Sequence, residues 1–410
     1  MVKILFYPIC VIVSLIVLAN TFSVALQGSN PETAIWLNPL NVDARLKLVS
    51  KKIRQKDFSK SSELNETIQT GRKYAPINAR LISLDGIYHE KIGSNSKAQE
   101  LFSTALAILP TEYQALIYRF RYLFKKQEYV KALDIVNIVS KRWPEKQNTF
   151  TSFIPLIVLD KAGFKHTSML FASSRQLRIL IITALVRNPA TISLAVQLVQ
   201  NWDSGDENSY WNLGNFITRK LLKGKRYSEA NLAFRSFLNA EQQANYQFIY
   251  NGNFANTSLK NQFDWTIRRQ VGVVHNYKNK KIDINNAVQK PYLEIRFSGK
   301  PIQYRNVTQM LKLAPGNYNL ILSYFAKKLR TPKPIKASVY CIEPSKLLAT
   351  YTFDPEVKTD KLSNTPFTVP ARECDIAQVY LHTEFVAKSW RNRFSGILGI
   401  NNISIEQAVN

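Results

Sequence analysis

The spacing of apolar residues changes once along this chain. Through residues 33–240 hydrophobic side chains recur every three to four positions, as in Leu101-Phe102-Ala105 and Ala132-Leu133-Val136, the period of helices with one buried face. From about residue 245 the period becomes two. Leu293-Ile295-Phe297, Tyr318-Leu320-Leu322-Tyr324, Ala337-Val339-Cys341 and Val379-Leu381 alternate with polar neighbours. Ser298-Gly299, Pro315-Gly316 and Ser395-Gly396 supply turns between such runs. The pattern predicts six to ten helices, then eight to ten strands in an antiparallel β-sandwich over residues 247–407, with Tyr318, Leu320 and Tyr324 pointing inward. Before both lies an unbroken apolar stretch, Ile4 to Leu18, continuing to Leu26.

Within the helical half, Pro76, Pro110 and Pro144 stand 34 residues apart. Gly86, Ala98, Phe102 and Ala105 precede Pro110, and Ala132 repeats Ala98 one period later. Small residues let two helices approach, Phe102 fills the groove between them, and proline stops the second helix. Ala230 and Phe234 repeat the same pair late in the segment. This stretch resembles a tetratricopeptide array, which implies a helical solenoid that docks protein partners. Asn41 or Asp43 supplies the cap of an early helix. His89 and His166 stand alone and read as surface or satisfied histidines.

One lysine, Lys3, precedes the apolar stretch, and Ser23-Val24-Ala25 is a small-x-small sequence. Residues 1–26 are therefore either a cleaved secretory signal or an uncleaved membrane anchor, since 23 apolar-rich residues can span roughly 30 Å of hydrocarbon. Both place the rest of the chain outside the cytoplasm, in the periplasm, with residues 4–26 as the inner-membrane anchor in the second case. A lipoprotein site at Cys10 is excluded by the bulky Tyr7-Pro8-Ile9 before it. Of three cysteines, only Cys341 and Cys374 lie beyond this stretch; an oxidising compartment lets them pair.

The formal charge is +26. Residues 245–410 carry 23 Lys and Arg against 11 Asp and Glu, so the excess is spread along the chain and does not form a tail. Spread basicity favours polyanions. Export excludes nucleic acid and leaves acidic polysaccharide or lipid headgroups.

In the strand half, Asn251-Gly252-Asn253-Phe254, Phe263-Asp264-Trp265, Pro315-Gly316-Asn317-Tyr318 and the closing Gly396–Ile405 segment follow one another in an order that resembles the jelly roll of carbohydrate-binding modules. With the exported helical repeat, the layout is similar to accessory proteins of bacterial exopolysaccharide machinery. Acidic residues that hold calcium in some such modules are replaced here by Ala255 and by Asn401 or Asn402, so no metal is expected. The resemblance implies a glycan site of aromatic faces framed by hydrogen-bonding groups. The candidates are Trp265, Tyr304 and Trp390, with Arg296, Arg391 and Arg393 to pair with anionic substituents. Acidic residues are sparse and scattered, as Asp264, Asp283, Glu294 and Glu384. No GxSxG, HExxH or phosphate loop occurs, so no enzyme and no cofactor is expected. The expectation is a polysaccharide-binding sandwich carried on a protein-docking solenoid. The alternative is an envelope scaffold that binds only proteins.

Overall fold

A computed structural model describes residues 2–54, 61–203, 205, 207–244, 246–281, 289–372, 374–385, 387 and 389–408. It is α-helical first and β second, and it parts into two compact units, Met1–Ala184 and Leu185–Asn410.

The first unit holds α1 (Val2–Leu26), α2 (Pro31–Leu37), α3 (Val42–Arg54), α4 (Ser61–Tyr74), α5 (Ala79–Lys91), α6 (Asn95–Ile108), α7 (Tyr113–Lys125), α8 (Tyr129–Arg142), α9 (Ile154–Leu159), α10 (Lys161–Phe171) and most of α11 (Arg175–Arg187). Helix α1 is long and apolar enough to cross a membrane. The 34-residue repeat maps onto antiparallel pairs. Gly86 of α5 faces Phe102 of α6 so closely that a Cβ there would sit 2.7 Å from the ring, and Ala98, Phe102 and Ala105 are sealed from solvent. Asn41 caps α3 by accepting from the Ala44 N–H at 2.9 Å, and Asn78 does the same for α5 through Leu81. His166 bonds Asp134 at 2.8 Å. His89 faces the buried Asp85, which Arg72 holds at 2.6 Å.

The second unit begins with α12 (Ile192–Gln200), α13 (Glu207–Lys223), α14 (Tyr227–Phe237) and α15 (Ala240–Ala244). The described residues thus contain more helices than the six to ten expected. Beyond Pro144 several are short, and a single capping residue such as Asp160 separates neighbours, so the periodicity merges them. In α14, Ala230 and Phe234 are buried as their repeat positions predict, and Gly214 of α13 admits the ring of Phe237.

Among the described residues ten strands follow: β1 (Thr266–Ile267), β2 (Val273–Lys281), β3 (Gln289–Pro301), β4 (Val307–Leu311), β5 (Gly316–Arg330), β6 (Ile335–Cys341), β7 (Lys346–Thr352), β8 (Lys361–Val369), β9 (Ala377–Thr383) and β10 (Arg393–Gln407). They form two antiparallel sheets, β1-β4-β9-β6-β7 and β2-β3-β10-β5-β8. Their inner faces share one core in which Tyr318, Leu320, Leu322 and Tyr324 point inward as the alternation predicts. Gly399 of β10 lies under the Phe325 ring; a Cβ there would come within 2.2 Å of it, so this crossing requires glycine. Cys341 and Cys374 form a disulfide, with Cα atoms 5.3 Å apart, joining β6 to the segment that enters its neighbour β9.

The change of period near 245 marks the change of element type, while the compact unit starts sixty residues earlier. Asn231 of α14 donates to the Tyr246 hydroxyl at 2.8 Å. Asn261 donates to Asn215 of α13 at 2.6 Å, and Asn215 in turn donates to the Leu259 carbonyl at 2.8 Å. Phe234 packs among the rings of Tyr246, Tyr250 and Phe263.

Candidate functional site

Alternation decides which side chains a sheet shows to solvent. Along β9 the even positions Gln378, Tyr380 and His382 face away from the core, while Val379 and Leu381 fill it. The outward parity of β6 carries Lys336, Ser338 and Tyr340, that of β4 carries Thr308 and Met310, and β7 adds Thr350 and Thr352. Register assembles these into rows across the sheet. Thr266, Thr308, Tyr380, Ser338 and Thr350 lie side by side over all five strands, a span of about 19 Å at the usual strand spacing. His382, Lys336 and Thr352 form the row on one flank; Met310, Gln378, Tyr340 and Leu347 form the other.

Two half-buried rings stand at the centre. Tyr380 and His382 stack with centroids 4.9 Å apart and planes 9° from parallel, and Tyr340 inclines toward His382 at 6.2 Å. The Ser338 hydroxyl bonds both His382 Nε2 at 2.9 Å and the Thr350 hydroxyl at 2.7 Å, which fixes the imidazole. Burial lowers the pKa of His382, and the nearby charges of Lys336 and Arg305 push the same way, so the ring is neutral at pH 7. Burial raises that of Tyr380, with the charges of Arg305 and Arg268 opposing. Lys336 bonds Glu384 at 2.6 Å and holds that carboxyl below its usual range. The surface is therefore a polar-aromatic strip with threonine hydroxyls on either side of the rings and cations at its rim; Ser338 is itself sealed from solvent and serves to hold His382. A groove of about 820 Å³ adjoins it at β1, lined by Lys260, Thr266, Arg268, Arg269, Val274 and His275.

The expected site residues fall in different places. Trp265 and Tyr304 are fully buried, which corrects their expected role as stacking platforms. The Trp265 indole donates to the Asn251 carbonyl at 2.9 Å, and the Tyr304 hydroxyl is 3.1 Å from His275 Nε2. Aromatic type alone does not separate a platform from a core ring, and these two packed inward. Arg296 lies on the outer face of the other sheet, paired with Glu294 at 3.2 Å. Trp390 is 69% exposed, with the Arg391 guanidinium 5.4 Å from its centroid, and Arg393 opens β10. These three follow β9, whose chain runs on from His382 through the exposed Phe385. The sequence reading missed Tyr340, Tyr380, His382, Gln378 and Ser338. The available signal was that Tyr and His share the polar parity of their strands.

The scattered carboxylates do not converge. Glu294 is paired with Lys278 and Arg296, Glu384 with Lys336, and Asp264 is enclosed; Asp283 lies outside the described residues. Asp264 accepts from the Leu259 and Trp265 N–H groups, both at 2.6 Å, yet burial raises its pKa to about 7. Burial lowers His275 to about 4. These two groups oppose each other in the stability of the fold. Between pH 6.5 and 4 the unfolded imidazole binds a proton that folded His275 refuses, so its contribution falls by roughly 3 kcal/mol on acidification. Between pH 3.8 and 7 folded Asp264 retains a proton that the unfolded chain releases, so its contribution falls as pH rises. Asp264→Asn should therefore steepen the loss of stability below pH 6.5, and His275→Gln should tilt the profile the other way. Denaturant titrations from pH 4.5 to 7.5 check this. Two variants running parallel to the parent would disprove it.

No family model and no curated relative matches this chain. Among solved structures, a CBM4 structure is 14% identical, covering 39% of this chain and 99% of its own with a TM-score of 0.28. The CBM22-1 xylan-binding domain of a Paenibacillus barcinonensis protein is 9% identical, covering 36% and 86% with a TM-score of 0.24. MamA of Desulfovibrio magneticus RS-1 is 14% identical, covering 50% and 97% with a TM-score of 0.23. Overlaps this loose carry nothing about activity.

Proposed function

We propose that the outer face of β1-β4-β9-β6-β7 binds an acidic polysaccharide, and that the chain is a non-enzymatic envelope accessory protein whose helices dock protein partners during exopolysaccharide synthesis or export. The observation that supports this reading is the Tyr380–His382 stack, set in a row of hydroxyls and rimmed by Arg268, Arg305 and Lys336. A sugar offers C–H faces to rings and hydroxyls to Thr and Gln, and its carboxylate, pyruvyl or sulfate groups suit guanidinium. The exposed Trp390 with Arg391 against its ring lies in the connection from β9 to β10 and is a second candidate contact, while Arg393 opens β10 in the other sheet. The disulfide and the apolar α1 fit an exported chain.

Retention on immobilised acidic and neutral glycans across a salt series tests it. Tyr380→Ala should weaken retention about tenfold at every salt, because stacking is short-ranged and one such contact is worth roughly 1–2 kcal/mol. Arg305→Ala and Arg391→Ala should flatten the salt dependence, since exposed charge pairs are screened within about 8 Å at physiological ionic strength. A parent protein that retains no glycan at low salt refutes the proposal and leaves the protein-binding scaffold in its place.

A further inference from the structure

The last turns of α1 are built into the helical unit. Ser23 is fully buried. Its hydroxyl donates to the Ala34 carbonyl at 2.6 Å and accepts from Asn41 Nδ2 at 2.9 Å. Asn38 Nδ2 donates to Asn20 Oδ1 at 2.8 Å. The pairing of 23 with 34 and of 20 with 38 makes α2 run back antiparallel along α1. Asn41, held by Ser23, is the residue that caps α3. Cleavage after Ala25 would remove both of these partners and the helix that α2 packs against.

Above this polar junction the surroundings change. From Ile9 to Leu18 every described large apolar side chain of α1 is more than half exposed, a surface with no protein partner in the described residues. The 16 residues from Ile4 to Ala19 measure about 24 Å at 1.5 Å per residue, most of the roughly 30 Å hydrocarbon thickness of a bilayer. At the junction itself Trp36 is 79% exposed, and Leu40, four residues further on, is exposed as well. Tryptophan favours the boundary between hydrocarbon and headgroups, where an apolar ring and a polar N–H are both accommodated. An apolar rod of nearly membrane length, a polar collar of Asn20 and Asn38 at its end, and an exposed indole level with that collar together specify one occupant. That occupant is a lipid bilayer.

We infer that α1 is retained in the mature chain as a bilayer anchor, with Trp36 and Leu40 in the headgroup layer, so that the first helical unit is seated on the membrane surface. Cys10 lies in the exposed part of α1 and is unpaired, while Cys341 and Cys374 are bonded to each other. It therefore reports on the anchor directly.

The test uses the full chain expressed with its own N-terminus, isolated in membranes without reductant. The expected intact mass is that of the uncleaved chain, which stays in the pellet through an alkaline carbonate wash. A water-soluble maleimide should leave it unlabelled in intact membranes and add one label after detergent solubilisation. A mature chain beginning at Leu26, carrying no thiol even when denatured, overturns retention. For the headgroup placement, the chain is reconstituted with lipids brominated near the headgroup. Trp36→Phe should lower the fraction of tryptophan emission that is quenched. An unchanged fraction overturns that part.

Discussion

Replacing Phe234 by alanine should lower the melting temperature of the C-terminal unit by roughly 6–20 °C, the equivalent of about 3–5 kcal/mol. Phe234 is sealed from solvent on α14. Its ring meets those of Tyr246, Tyr250 and Phe263 at centroid distances between 5.6 and 5.9 Å, and that of Trp211 at 6.3 Å. Truncation leaves a cavity with rigid aromatic walls on several sides, and such walls relax poorly. The Asn231 amide and the Tyr246 hydroxyl, which bond each other next to this ring, would be loosened as well. A fragment spanning 185–410 should melt in one cooperative step. A fragment beginning at residue 246 should be much less stable, because it exposes Tyr250 and Phe263. Thermal melts of the full chain, the two fragments and Phe234→Ala decide the matter. A loss below about 1 kcal/mol would mean the helices rest loosely on the sandwich, and would return the functional boundary to residue 245.

Removing the disulfide with Cys341→Ala and Cys374→Ala together should cost about 3–4 kcal/mol, since the bond closes a loop over a sequence separation of 33. The folded sheet has little need of it for alignment. β6 and β9 are paired from Ile335–Thr383 to Cys341–Ala377, so their register is already set by hydrogen bonds and by the inward Val339, Val379 and Leu381. Its contribution comes through the unfolded chain, which has fewer conformations when these two points are tied. The double variant should therefore keep the parent's near-ultraviolet spectrum while unfolding at lower denaturant. Thiol titration of the denatured, unreduced protein should find no more than Cys10; three reactive thiols would exclude the bond.

Much of the architecture was legible from spacing. The 34-residue recurrence of proline with Gly86, Ala98 and Phe102 located the helix pairs, because close helix packing demands small residues opposite a groove-filling ring. Alternation located the strands and oriented Tyr318, Leu320 and Tyr324 inward, because a pleated strand has two faces and only one meets the core. The two cysteines beyond the apolar stretch left one pairing. Helix number was less legible after Pro144, where short helices share one apolar pattern.

The candidate site depended on pairing across the chain. Tyr340 and Tyr380 are forty residues apart, and only the register of β6 with β9 puts both beside His382. Trp265 and Tyr304 have the composition of sugar platforms, but their burial follows from the packing of loops and sheets around them. The bond from Asn41 to Ser23 likewise joins residues whose local sequences say nothing of each other. Local sequence determined which face of each element is apolar, because that depends on neighbours within a few residues. Which polar faces meet, and which aromatic rings remain at the surface, was decided by tertiary packing, because those contacts link residues that no local period connects.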